Sequence, residues 1–243
     1  MANLIYLLIG SVFGSFCTVV GYRIPLKQSI ASPRSHCSSC GKTLQAMDLI
    51  PVFSYLFRRG KCHYCHSRIQ PIHFWIELFA AFAFYYSLQQ VSFPPLVLLV
   101  FFFFAFILSV SDYLYFLLPN LLLFFFLLSL TILKFYYSLG DPLIDLLSAS
   151  LLFLFCYLLF KIFPHSFGGG DIKLLVLLTW IFGFSISLVS LFIASVTALL
   201  FIMGISIKRN KLWADPIPFA PFIFLGYTIG LLFPDIQSLY FYF

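Results

Sequence analysis

Residues 95–113 read PLVLLVFFFFAFILSVSDY, an unbroken apolar run that closes on a carboxylate, Asp112. A segment of that length can cross a hydrocarbon core of about 30 Å, and it lacks the polar alternation of a membrane strand. Similar runs recur from one end of the chain to the other. With 62% hydrophobic and 9% charged residues, the 243-residue chain has too little polar surface to cover a water-soluble globule. Only helices and closed barrels satisfy their backbone in lipid, so the chain reads as an all-α polytopic membrane protein.

Charge sets the orientation. Eight of the fourteen basic residues lie between Arg23 and Arg68, which makes that stretch cytoplasmic under the positive-inside rule. The net charge of +6 is therefore no sign of a nucleic-acid surface, and no nucleic-acid partner is expected. Working outward from 95–111, the expected crossings are about 3–20, 74–91, 95–111, 119–138, 144–162, 172–187, 188–207 and 219–233. Eight crossings put both termini outside and leave Lys134 as the one basic residue on the outer side, with Asp141, Asp145 and Asp235. The chain then divides into a first membrane helix (1–22), a cytoplasmic loop insertion (23–73) and a transmembrane domain (74–243). Gly10, Gly14 and Ser15 have the small-residue spacing that lets helices pack closely.

The loop carries Cys37-Ser38-Ser39-Cys40 and Cys62-His63-Tyr64-Cys65, with 21 residues between the pairs. Two such knuckles can place four thiolates at the corners of a tetrahedron, the geometry of structural zinc. Two disulfides, a redox pair or four unrelated thiols are the alternatives; a reducing cytoplasm argues against the disulfides, and the doubled motif against chance. His36, His63 and His66 stand close enough in sequence to replace a thiolate. Bound metal would staple a loop too small to build its own core. Cys17 and Cys156 sit in apolar runs and read as buried small hydrophobes.

A second acid stands in Phe167-Gly168-Gly169-Gly170-Asp171-Ile172-Lys173-Leu174, at the mouth of another apolar segment. An aspartate just before a helix is a good N-cap, but a cap does not need three glycines. Removing three side chains beside the acid lets another backbone, such as an extended peptide, come close. The topology brings Asp112 and Asp171 to one side of the membrane. Two carboxylates sharing a proton can activate water and protonate a leaving amide, so peptide hydrolysis at the membrane is the sharpest reading. A proton-coupled transporter also uses membrane carboxylates, and a zinc-anchored assembly protein would need neither acid. Helix dipoles add one expectation: Asp112 closes its helix and Asp171 opens one, which favours the shared proton on Asp112.

Beyond these readings, the chain resembles the bacterial type IV prepilin peptidases. The resemblance runs through Gly14-Ser15-Phe16, Tyr22-Arg23-Ile24-Pro25, Ser35 to Cys40, Asp48-Leu49-Ile50-Pro51 and Arg59 to Cys65. It continues in Asp112 with Leu118-Pro119, in Gly168 to Lys173, and in Pro218-Phe219-Ala220-Pro221-Phe222. It implies a membrane aspartic endopeptidase of the bacterial inner or plasma membrane, with Asp112 and Asp171 catalytic on the cytoplasmic side. Cys37, Cys40, Cys62 and Cys65 would be its zinc ligands, and Gly168, Gly169, Gly170 and Lys173 would contact substrate. The substrates implied are prepilin or pseudopilin precursors of pilus, type II secretion or competence systems, cut after a glycine that ends a short basic leader. Many members also methylate the new N-terminus with S-adenosylmethionine, an activity no motif in this chain displays. Asn120 departs from the family, where many members carry an aspartate.

Overall fold

A computed structural model describes residues 2–90, 93–162, 168–209 and 216–232. The regular elements among the described residues are all helices, apart from two isolated bridges in the loop. By internal contacts the chain divides into two compact units, Met1–Val110 and Ser111–Phe243, with the boundary near the end of one helix.

The first unit holds α1 (Ala2–Arg23), the one-turn helix α2 (Phe53–Phe57), α3 (Pro71–Gln89) and most of α4 (Pro95–Tyr115). Proline opens α3 because a first-turn residue needs no amide partner. α1 and α3 run antiparallel and touch through the expected small residues. A Cβ on Gly10 would stand 2.6 Å from the Phe84 Cβ, and one on Gly14 2.7 Å from the Ala80 Cβ. Cys17 is buried, as expected, with its thiol 3.7 Å from the Phe103 carbonyl oxygen.

The second unit holds the end of α4, then α5 (Asn120–Tyr136), α6 (Pro142–Ile162), α7 (Gly169–Arg209) and α8 (Ala220–Leu232). α7 is two limbs joined at Gly183, whose φ of 77° and ψ of 172° only glycine adopts at low cost. The break expected between 187 and 188 therefore lies four residues earlier, because backbone freedom rather than segment length places it. The second limb runs back along α8. Gly226 packs on the Ser190 backbone, the Tyr227 hydroxyl donates to Ser187 Oγ at 2.7 Å, and the Phe201 and Phe222 rings stand 5.5 Å apart. At the Gly183 end, the α5–α6 turn and the α7 bend line one shallow hollow through Gly140, Asp141, Gly183 and Phe184.

Lys134, the exception to the charge rule, donates to Asp145 Oδ2 at 2.5 Å, with side chains only 1% and 7% exposed. Its ammonium also lies 5.2 Å from the centre of the Trp180 ring. A paired, buried lysine does not report topology as a solvated one does.

Among the described residues, four stretches are long and apolar enough to cross a membrane: Asn3–Arg23, Pro95–Tyr115, Pro142–Ile162 and Gly169–Lys208. The last, at 40 residues, would be about 60 Å if straight, twice a hydrocarbon core, which the Gly183 break resolves. α5 and α8 are apolar but shorter.

Candidate functional site

Asp112 lies in the last turn of α4 and is buried. The chain leaves the helix through Phe116 at a positive φ of 53°, held by its N–H on the Asp112 carbonyl at 2.9 Å and by the Ser111 hydroxyl on the Leu117 carbonyl at 2.5 Å. That tight exit turns Leu118 and Pro119 back to start α5.

Asp171 lies in the first turn of α7, and the glycines before it divide the work. A Cβ on Gly168 would stand 2.9 Å from Asp171 Oδ2, and one on Gly170 3.1 Å from the Leu118 Cβ. One on Gly169 would meet nothing within 4 Å. Gly168 thus clears room for the carboxylate, Gly170 seats α7 against the turn after Asp112, and Gly169 leaves an open flank. Lys173 Nζ donates to Asn120 Oδ1 at 2.9 Å, joining the starts of α7 and α5. Asn120 therefore retains an acceptor for the lysine without the charge an aspartate would bring. The charge of Asp112 acts directly on Asp171, so the two acids form one electrostatic site.

A feature without a sequence-level role completes it. The Ala220 N–H at the start of α8 donates to Asp112 Oδ2 at 2.9 Å in a buried contact, and the Phe219 amide reaches the same carboxylate. The signal was present in Pro218-Phe219-Ala220-Pro221, where two prolines leave only those two amides to donate. This contact corrects the dipole argument. Asp112 faces the positive end of α8 as well as the negative end of α4, so the ground for placing the shared proton on it is gone.

In the first unit, the four predicted cysteines come together, with all four Sγ atoms within 4.8 Å of one another. Each pair sits in a small hairpin. Cys37 N–H donates to the Lys42 carbonyl at 3.0 Å, and Cys62 N–H to the Ser67 carbonyl at 2.9 Å. Tetrahedral zinc with Zn–S bonds of about 2.3 Å separates its sulfurs by about 3.8 Å. Cys37 and Cys65 Sγ are 3.8 Å apart, so the residues fit the ion. The backbone N–H groups of Cys40 and Ser39, with the Ser67 hydroxyl, lower the Cys37 thiol to about 6, poising it as the thiolate a metal needs. The cluster is of the four cysteines without a histidine; His36 Nδ1 lies 3.1 Å from the Arg34 carbonyl, and the His63 ring packs edge-on to Tyr64.

Comparison with known proteins agrees with both halves. The Bacterial Peptidase A24 N-terminal domain matches residues 8–91, and the Type IV leader peptidase family matches residues 99–203. A prepilin leader peptidase/N-methyltransferase of Bacillus subtilis (strain 168) is 33% identical over 236 residues, covering 95% of this chain and 94% of that protein. One from Vibrio cholerae is 30% identical over 245 residues, covering 93% and 94%. A type 4 prepilin-like proteins leader peptide-processing enzyme of Escherichia coli is 34% identical over 93 residues, covering 31% and 35%. No solved structure matches the chain.

Proposed function

The chain belongs to the prepilin leader peptidase/N-methyltransferase family, and from that membership we propose that it removes the leader of type IV prepilin or pseudopilin precursors with Asp112 and Asp171 as the catalytic pair. The observation that carries the reading is the convergence of two acids from α4 and α7, beside a glycine-cleared flank, at the starts of α5, α7 and α8.

One carboxylate takes a proton from water as the water oxygen attacks the scissile carbonyl carbon, while the protonated partner donates to the carbonyl oxygen. The C–N bond then breaks as the amine nitrogen takes the proton drawn from water, and one hydroxyl of the diol returns its proton to the other carboxylate as the new carboxyl forms, so the pair again holds one proton between two acids. The extended precursor lies along Gly168, Gly169 and Gly170, and Lys173 holds the flank through Asn120. Zinc supplies cross-linking in the loop, held by Cys37, Cys40, Cys62 and Cys65. Methyl transfer from S-adenosylmethionine to the new N-terminus rests on the relatives' names alone, since no cluster among the described residues marks a seat for it.

The topology proposed is eight crossings in the bacterial inner or plasma membrane, both termini outside, with the loop of residues 23–73 and the acids on the cytoplasmic side. Among the described residues, the four spanning stretches, with α7 counted as two limbs, together with the shorter α5 and α8 and the less apolar α3, support the number. The end of the chain lies outside the described residues. The test is to incubate the purified protein in liposomes with a pilin-like precursor and weigh the products. Wild type should release the leader after glycine. Asp112→Asn and Asp171→Asn should each lower the rate by about 1,000-fold or more. Cleavage that survives either change would overturn the pair.

A further inference from the structure

Leu49-Ile50-Pro51-Val52-Phe53-Ser54-Tyr55-Leu56-Phe57 belongs to the most polar region of the chain, yet its nine residues carry no charge. Asp48 before it and Arg58 after it form an ion pair, so the stretch is a loop closed by charge at its base. Its apolar side chains face outward at helical spacing, with Phe53 44%, Leu56 57% and Phe57 84% exposed.

The helices to which the loop is tied give its depth. Gly10 of α1 meets Ala80 and Phe84 of α3, and Gly14 meets Glu77 and Ala80. The Ser15 hydroxyl reaches Glu77, which puts that acid level with Ser15. Ser15 lies about 12 Å along α1 from Arg23, at 1.5 Å per residue. Arg23 marks the polar edge, its guanidinium donating to the carbonyls of Ser29, Ile30 and Pro33. The Val52 N–H donates to Glu77 Oε2 at 2.7 Å, and the Tyr55 ring stacks on Phe74 with centroids 5.1 Å apart. Both ties lie well inside that edge.

The backbone suits such a place. Val52 has a φ of 63° and ψ of −52°, which a β-branched residue rarely adopts, and the turn brings the Phe53 N–H to the Pro51 carbonyl at 2.6 Å. The Ser54 and Leu56 amides donate to Ile50 and Val52 at 3.0 and 3.1 Å. Glu77 takes the donor this turn cannot satisfy internally, which gives a carboxylate on an apolar helix a local purpose.

We infer that residues 49–57 form an apolar wedge inserted among the acyl chains of the leaflet on the loop's side of the membrane. Arg58, Arg59 and Lys61 then stand at the wedge's base, where anionic headgroups would meet them. The same cations would repel a precursor with a basic leader, so lipid is the occupant that charge favours. The inference rests on α1 crossing the membrane and is independent of the carboxylate pair.

The test places a photoreactive benzophenone side chain at Phe57, at Leu56 or at Thr43 in the full-length, metal-loaded protein, reconstituted in vesicles containing anionic phospholipid and irradiated with and without precursor. Retained metal certifies that each variant has folded. Lipid adducts at Phe57 and Leu56, with none at Thr43, are expected. Adducts only to precursor would overturn the wedge and assign the face to substrate. Adducts to a second copy of the chain, or none to lipid at either wedge position, would also overturn it. Because precursor cleavage is scored separately, failure of the wedge and failure of the peptidase reading are distinguishable.

Discussion

The thiol cluster is assembled from two short stretches that each fold on themselves, whereas the carboxylate pair is assembled from the ends of four helices that share no local sequence. Each knuckle closes its own hydrogen bonds, Gly41 N–H to Cys37 O at 2.9 Å and His66 N–H to Cys62 O at 3.1 Å. Asp112 needs α8, fixed more than a hundred residues later, to supply its amide. Self-contained parts tolerate damage elsewhere, and composite ones do not.

The largest test of that contrast is Cys62→Ser, which removes the buried thiol of the proposed zinc site. Bound zinc should be lost and trypsin should cut the loop around Arg58, Arg59 and Lys61, while precursor cleavage persists. Asp112→Asn should do the reverse, abolishing cleavage with metal retained. Metal analysis beside product mass reads both, and joint loss in either variant would mean that the two regions are not independent.

Within the carboxylate site, Gly168→Ala should lower the cleavage rate by about 100-fold by displacing Asp171, as misplacements of about 1 Å do. Gly169→Ala, whose Cβ meets open space in the free protein, should keep kcat within about two-fold of wild type and act on KM instead, because its methyl would stand where the precursor lies. Equal losses would show that the glycines serve backbone freedom rather than side-chain clearance.

The smallest effect sharpens the knuckle comparison. After the second cysteine, one hairpin has Gly41 at φ 69° and the other His66 at φ 56°. His66→Gly should relieve about 1 kcal/mol of left-handed strain, holding zinc about five-fold more tightly in a chelator competition. Unchanged retention would mean that the histidine's conformation carries no strain.

The same difference governs what could be read from sequence. The four thiols were legible because their spacing is local. The acids were legible because a charge in an apolar run is conspicuous, and the glycines between Gly168 and Gly170 because they stand together. The Ala220 amide was not, since a backbone donor has no letter of its own. Lys134 and Asp145 looked like separate surface charges until the α5–α6 turn brought them together. Segment counting found two limbs in α7 but missed Gly183 as the joint, because length says how many crossings fit and not which residue can bend.

The Gly183 joint also fixes how far α7's first limb can reach. From Gly169 to the bend it extends about 21 Å, and α5, at 17 residues, about 26 Å, both less than a hydrocarbon core of about 30 Å. If their far ends sit at the opposite surface, as in the proposed topology, the limb that presents Asp171 and the helix that follows the turn after Asp112 stop short of the near one, whereas α4, at 21 residues and about 32 Å, is long enough to reach it. The bilayer must then thin beside α5 and α7 or leave Asp171 recessed beneath its surface. Scission is then a matter of hydrophobic mismatch as well as acid chemistry, and its rate should fall as the host lipids lengthen, which a series of vesicles of increasing acyl length would measure. A rate indifferent to thickness would place the acids at the surface after all.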